Sequence, residues 1–196
     1  MKEFNGRRMS RTDITKLVYL AIFTALVAVL QIVSNITMGI LPVPITLTLV
    51  PIVMACAICG KYSGGWLGFV FAMVVLLSGA SEPFFTINPL ATIIIVIVKG
   101  VSAGIFAGLV YSLLEKRNRY VAIILAGATA PIVNTGIFLV GAFVFFRDYI
   151  VSLAGGEALF TFVITVFVGV NFLVELGLNM LLAPIILRLV NYKKKI

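Results

Sequence analysis

The sequence predicts an all-α integral membrane protein, a six-helix bundle forming one domain over residues 1–196, with both termini cytoplasmic. Three observations carry that expectation. Apolar residues make up 62% of the chain and mean hydropathy is +1.19, where soluble domains are about 45–50% apolar. Charged residues are only 11%, against about 25% in soluble domains. The cations that remain fall almost entirely on one side of the apolar runs, and no polar linker is long enough to divide the chain in two.

The first span, about 14–37, follows a polar and basic stretch and has no small-residue cleavage site, so it is expected to stay in the bilayer. It carries Ala21-x-x-x-Ala25, with Ala28 close by. Spans two and three, about 45–60 and 63–79, are split by Gly60-Lys-Tyr-Ser-Gly-Gly65. Both sit near the lower length limit of ~17 residues. Their shortness predicts tilted or irregular segments shielded by neighbours. Tyr62 and Trp66 at this junction read as interface anchors.

Span four, about 88–114, opens on Asn88-Pro89, a good helix start. It continues through Gly100-x-x-x-Gly104-x-x-x-Gly108, a spacing that lets helix backbones approach closely. These glycines are expected to pack inside the bundle. The alanines of span one face either the same interior or another subunit, and the residues alone favour the interior. Span five, about 120–146, contains Pro131, which removes one backbone donor and frees a carbonyl. Span six, about 159–190, completes an even number of crossings.

Thirteen of the 15 Lys and Arg residues precede span one, lie between spans two and three or four and five, or follow span six. By the positive-inside rule that side is cytoplasmic. The opposite side has only Arg147, and Lys99 is intramembrane. The net charge of +8 is thus a set of topology anchors beside anionic lipid, not a nucleic-acid surface. The outer loops become 37–44, 78–88 and 147–158, rich in Pro and Gly and suited to forming a lid.

Lys99 interrupts an apolar run at a depth where a cation costs roughly 2.5–3.5 kcal/mol on insertion scales. It needs protein, water or an anion beside it. The other deep ionisable residue, Glu175, shares one face of the last span with Asn171 and Asn179 at four-residue spacing. That face must point into the bundle. The bland reading is interhelical hydrogen bonding, for which asparagine would suffice; the carboxylate otherwise binds a ligand group, pairs with Lys99 or is protonated. Asn134, with Thr135 just after Pro131, either satisfies the kink or contacts a ligand. Asn88 either caps span four or stands at the rim of a site.

Catalysis finds no support. There is no histidine, no G-x-x-x-x-G-K-[ST] phosphate loop, no H-E-x-x-H and no G-x-S-x-G. Cys56-x-x-Cys59 lies within an apolar run and reads as small residues at a helix contact, so no metal site, catalytic residue or cofactor is expected.

The chain resembles the substrate-binding (S) component of energy-coupling factor transporters over nearly its whole length. The likeness rests on Ala21-x-x-x-Ala25, Thr48-Leu-Val-Pro-Ile-Val-Met-Ala55 followed by Gly60-Lys-Tyr-Ser-Gly-Gly65, Asn88-Pro89, Lys99-Gly100, Asn134-Thr135 and Asn171-x-x-x-Glu175. The resemblance implies a multi-pass cell-membrane protein that captures a vitamin from outside. It then docks on a transmembrane scaffold subunit through the small-residue face of span one, while two ATPase subunits supply the energy. Ala21, Ala25 and Ala28 become partner contacts on this reading, which reverses the preference for interior packing. Asn88, Lys99, Asn134, Asn171 and Glu175 become substrate-binding residues. Spans four and five most resemble the branch that includes pantothenate carriers. A buried cation suits the pantothenate carboxylate, and riboflavin ranks second. The competing class is a stand-alone channel or intramembrane enzyme; it lacks both a continuous polar path and a nucleophile–base pair.

Overall fold

A computed structural model describes residues 10–37, 48–156, 158–163, 165 and 170–193. Among them the chain is helical, with no strand: α1 (Arg11–Thr37), α2 (Leu49–Cys59), α3 (Ser63–Leu77), α4 (Glu82–Phe85), α5 (Pro89–Leu114), α6 (Arg119–Phe145), α7 (Arg147–Ala154), α8 (Leu159–Phe162) and α9 (Val170–Lys193). Among the described residues three stretches are long and apolar enough to cross a membrane: Arg11–Asn35, Pro89–Leu114 and Arg119–Phe145. The expected loop 37–44 lies, except for Thr37, outside the described residues, as do positions 45–47 of span two and 164 and 166–169 of span six.

The helix starts follow local chemistry. Ser10 Oγ accepts from the Asp13 N–H at 3.3 Å while Asp13 Oδ2 accepts from the Ser10 N–H at 3.4 Å, a reciprocal cap on α1. Asn88 Oδ1 accepts from the Ala91 N–H at 3.1 Å, and Pro89 supplies a first-turn φ without a wasted donor. Asn118 caps α6 through the Tyr120 and Val121 N–H groups. Gly60, at φ 114°, turns the chain between α2 and α3, where a side chain would be strained.

α2 is the hub. It has 11 residues, about 16 Å at 1.5 Å per residue, roughly half a bilayer core. It touches α1, α3, α5, α6 and α9, and Leu49, Ile52, Val53 and Ala55 on it are completely buried. The shielding expected for a short span is therefore present.

The glycines of α5 pack inward as expected. A Cβ on Gly104 would collide with the Gly64 carbonyl, one on Gly100 would lie 2.5 Å from the Gly68 carbonyl, and one on Gly108 would strike the Lys61 carbonyl. α3 and α5 thus cross backbone to backbone in antiparallel register. Cys56 lies at the same crossing, its Sγ 3.7 Å from the Gly104 carbonyl. Neither cysteine forms a disulfide, and Cys59 Sγ lies 3.7 Å from the Lys16 carbonyl.

Two expected loops differ from expectation. Segment 78–88 holds α4 and segment 147–158 holds α7. In α7, Ile150 and Ala154 stand one turn apart and are both buried, which docks the helix on the bundle. The proline and glycine content marked the ends of these short helices rather than open loops: Pro83 lies in the first turn of α4, and Gly155, at φ 58°, stops α7.

Candidate functional site

The α4–α7 end of the bundle carries an aromatic cluster. Phe84 of α4 makes edge-on contacts with Phe138 and Phe146 at 5.5 and 5.1 Å and with Tyr149 of α7 at 5.6 Å, between ring centroids. Such geometry adds about 0.5–1.5 kcal/mol per pair beyond burial. It pins α4 and α7 over the ends of α5 and α6.

Lys99 lies just beneath. Its Nζ is 4.9 Å from the centroid of the Phe138 ring, so one aromatic ring meets Phe84 at its edge and the ammonium on its face. A cation–π contact is worth about 0.5–2 kcal/mol, less than the roughly 2.5–3.5 kcal/mol that placing the lysine costs. The remainder rests on charge. The buried Glu175 carboxylate of α9 interacts electrostatically with the Lys99 ammonium. Lys99 of α5 thus lies within electrostatic reach of Glu175 on α9.

These contacts also fix how α6 and α9 run. Gly127 of α6 faces Asn179, whose Cβ would lie 3.4 Å from an added glycine Cβ. Phe138, further along α6, meets Lys99, which engages Glu175, earlier on α9. The two helices are therefore antiparallel at this level. Gly127, Pro131, Asn134 and Phe138 fall at i, i+4, i+7 and i+11, one face of α6. Glu175, Asn179, Ala183 and Ile186 line the inward face of α9, all buried.

Asn134 is 8% exposed and Asn179 is 2% exposed, and the side-chain oxygen of each lacks a hydrogen-bond partner among the described residues. Asn179 Nδ2 donates to the Glu175 carbonyl at 2.9 Å, which fixes the orientation of that amide. An unsatisfied buried acceptor costs about 1–3 kcal/mol, so a donor or cation reaching these two oxygens would offset a real cost.

The other expected residues are placed as follows. Asn88 is the α5 cap, with Oδ1 committed to Ala91, and Thr92 Oγ1 donates to its carbonyl at 2.9 Å. Asn171 lies on α9 one turn before Glu175, and its side chain is outside the described residues. Ala21 and Ala25 are exposed and Ala28 half-buried, while Phe23 and Val27 turn inward. Sequence reasoning missed Phe84, Phe138 and Tyr149. Nothing local distinguishes them among 15 Phe and 6 Tyr. It also missed a polar chain in which Thr48 Oγ1 donates to Gln31 Oε1 at 3.3 Å, Gln31 Nε2 to Asn35 Oδ1 at 3.0 Å, and Asn35 Nδ2 to Ser78 Oγ. This chain ties α1 to the ends of α2 and α3. Among the described residues no group of three or more His, Cys, Asp or Glu is placed to hold a metal ion.

The arrangement offers one cation, one carboxylate, unsatisfied amide oxygens and an aromatic roof. These are groups suited to holding a polar ligand. Comparison with known proteins gives the family. A family model described as "ECF transporter, substrate-specific component" matches residues 15–187. No curated protein and no solved structure matches the chain.

Proposed function

The chain belongs to the substrate-specific components of ECF transporters, and from that premise we propose that it captures a small anionic vitamin from outside the cell, pantothenate first. Proteins of this family bind small-molecule substrates and work with a scaffold and an ATPase module. The observation that carries the substrate class is the position of Lys99, over the Phe138 ring and within electrostatic reach of Glu175. A cation held at that depth and only partly compensated suits a ligand carboxylate.

In this reading the bundle crosses the membrane six times with both termini cytoplasmic, and the α4–α7 end faces outward. The substrate enters beneath the Phe84 cluster. Its carboxylate meets Lys99, and its hydroxyl and amide donors meet Asn134, Glu175 and Asn171. Asn88 holds the rim by capping α5. Ala21, Ala25 and Ala28 meet the scaffold subunit, and two ATPases drive release. The aromatic cluster favours riboflavin as a second reading, because flat rings stack on aromatic faces and riboflavin has no carboxylate for Lys99.

Mass spectrometry of small molecules released from the purified chain, followed by titration with pantothenate and riboflavin, tests this. One equivalent of pantothenate is expected. Riboflavin alone would move the assignment to the second reading, and failure to bind any vitamin would overturn the proposal.

A further inference from the structure

Between α6 and α9, one turn from Glu175, the bundle collects amide oxygens that accept from no donor among the described residues. Asn134 Oδ1 and Asn179 Oδ1 are both buried and unpartnered among the described residues. A third acceptor follows from covalent structure. Pro131 has no N–H, so the carbonyl four residues earlier, that of Gly127, loses its helical donor. Gly127 is the residue that Asn179 packs against. The Glu175 carboxylate, one turn along α9, is the fourth oxygen group.

Helix geometry brings these groups to neighbouring levels. Side chains on a helix lean toward its N-terminus. Asn134 therefore leans back toward Pro131, and Asn179 leans back toward Glu175, as its hydrogen bond to the Glu175 carbonyl records. In an antiparallel pair these directions oppose, so both amide oxygens approach the level where Pro131 faces Glu175. A shell of amide and backbone carbonyls with one carboxylate is what hard cations take in place of water, and carbonyls freed at helix breaks serve this role within membranes.

We propose that this pocket binds a single alkali cation, sodium or potassium, held by Asn134, Asn179, Glu175 and the Gly127 carbonyl. Charge selects a monovalent ion. Glu175 already answers Lys99, so the neighbourhood is near neutral and a divalent ion would leave two uncompensated charges in a low dielectric. The cluster shares Asn134 and Glu175 with the proposed vitamin site but adds Asn179 and the Gly127 carbonyl, and cation binding does not require the vitamin reading to hold.

Radiolabelled sodium, without any vitamin, is the probe, with the full chain in lipid nanodiscs. Saturable binding is expected, together with higher thermal stability in sodium or potassium chloride than in choline chloride at equal ionic strength. Potassium competition assigns the ion. Glu175→Gln and Asn179→Ala are expected to weaken binding at least about tenfold. Asn179→Asp keeps the shape and adds charge, so it is expected to tighten binding. Lys99→Met removes a nearby positive charge and is likewise expected to tighten sodium binding, while the vitamin proposal requires the same variant to lose its ligand. Absence of saturable binding with identical melting in all three salts would mean that water alone fills the pocket, and would overturn the inference. Unchanged affinity in both Asn179 variants would overturn it too.

Discussion

A lysine held inside an apolar helix must be compensated, and at Lys99 the compensation has two separable parts. The Phe138 ring supplies about 0.5–2 kcal/mol and Glu175 supplies opposite charge. Lys99→Met removes the cation but leaves the buried Glu175 carboxyl without its counter-charge, so the fold is expected to persist with a lower melting temperature. Affinity for an anionic vitamin should fall by at least about tenfold, or ~1.4 kcal/mol, measured by calorimetric titration. Normal affinity would make Lys99 purely structural. Glu175→Gln alone leaves the ammonium without its carboxylate and is expected to destabilise. In combination with Lys99→Met that cost should largely vanish, giving a coupling energy of about 0.5–3 kcal/mol in a double-mutant cycle of unfolding. At this scale the sequence was informative about which residues are anomalous. Lys99, Asn134 and Glu175 stood out because each is expensive in lipid. Their neighbours did not, because Phe138 lies far along the chain from Lys99 and is as cheap in lipid as any other phenylalanine.

Among the helices, the α3–α5 crossing depends on atoms that are missing. Gly104 and Gly64 bring two backbones into contact, and the obstacle to any added Cβ is a carbonyl, which cannot rotate away as a side chain can. Gly104→Ala is therefore expected to cost about 1–3 kcal/mol or more, read as a lower melting temperature in detergent. Gly136 offers the opposite case. It is helical in α6 with nothing within 4 Å of an added Cβ, so Gly136→Ala should be neutral or stabilising by up to about 1 kcal/mol. Equal effects of the two substitutions would refute the packing account. Four-residue glycine spacing announced the α5 side of this interface in the sequence. Its partner did not announce itself, since Gly64 and Gly68 appeared as parts of a turn and a short span. The same limit explains α4 and α7. Four to eight residues give too few turns for a periodic pattern, so proline and glycine dominated the reading of those segments while tertiary contacts through Phe84 and Ile150 decided their structure.

The molecule as a whole is asymmetric in what it leaves uncovered. Only 22% of the apolar window of α1 is buried, against 39% for α5. Its outward face combines Ala21 and Ala25 with large residues such as Ile22 and Val29, each more than half exposed. Lipid would accept large residues throughout, so the small ones matter only if another helix backbone comes close. The site proposed for the vitamin, in contrast, draws on α5, α6 and α9 beneath the Phe84 cluster. The two surfaces therefore separate in space, and their functions should separate by mutation. Ala21→Trp with Ala25→Trp is expected to leave vitamin affinity and melting temperature of the isolated chain close to those of the wild type. Co-purification with the scaffold and ATPase subunits should be lost, and with it uptake in reconstituted liposomes. The polar chain from Thr48 through Gln31 and Asn35 to Ser78 holds α1 on the bundle independently of that face, which is why the tryptophans should block docking without loosening the helix. If the double variant still assembles and transports, α1 is a lipid-facing helix and the scaffold must meet another surface. If it loses vitamin binding along with assembly, the pocket and α1 are mechanically one unit.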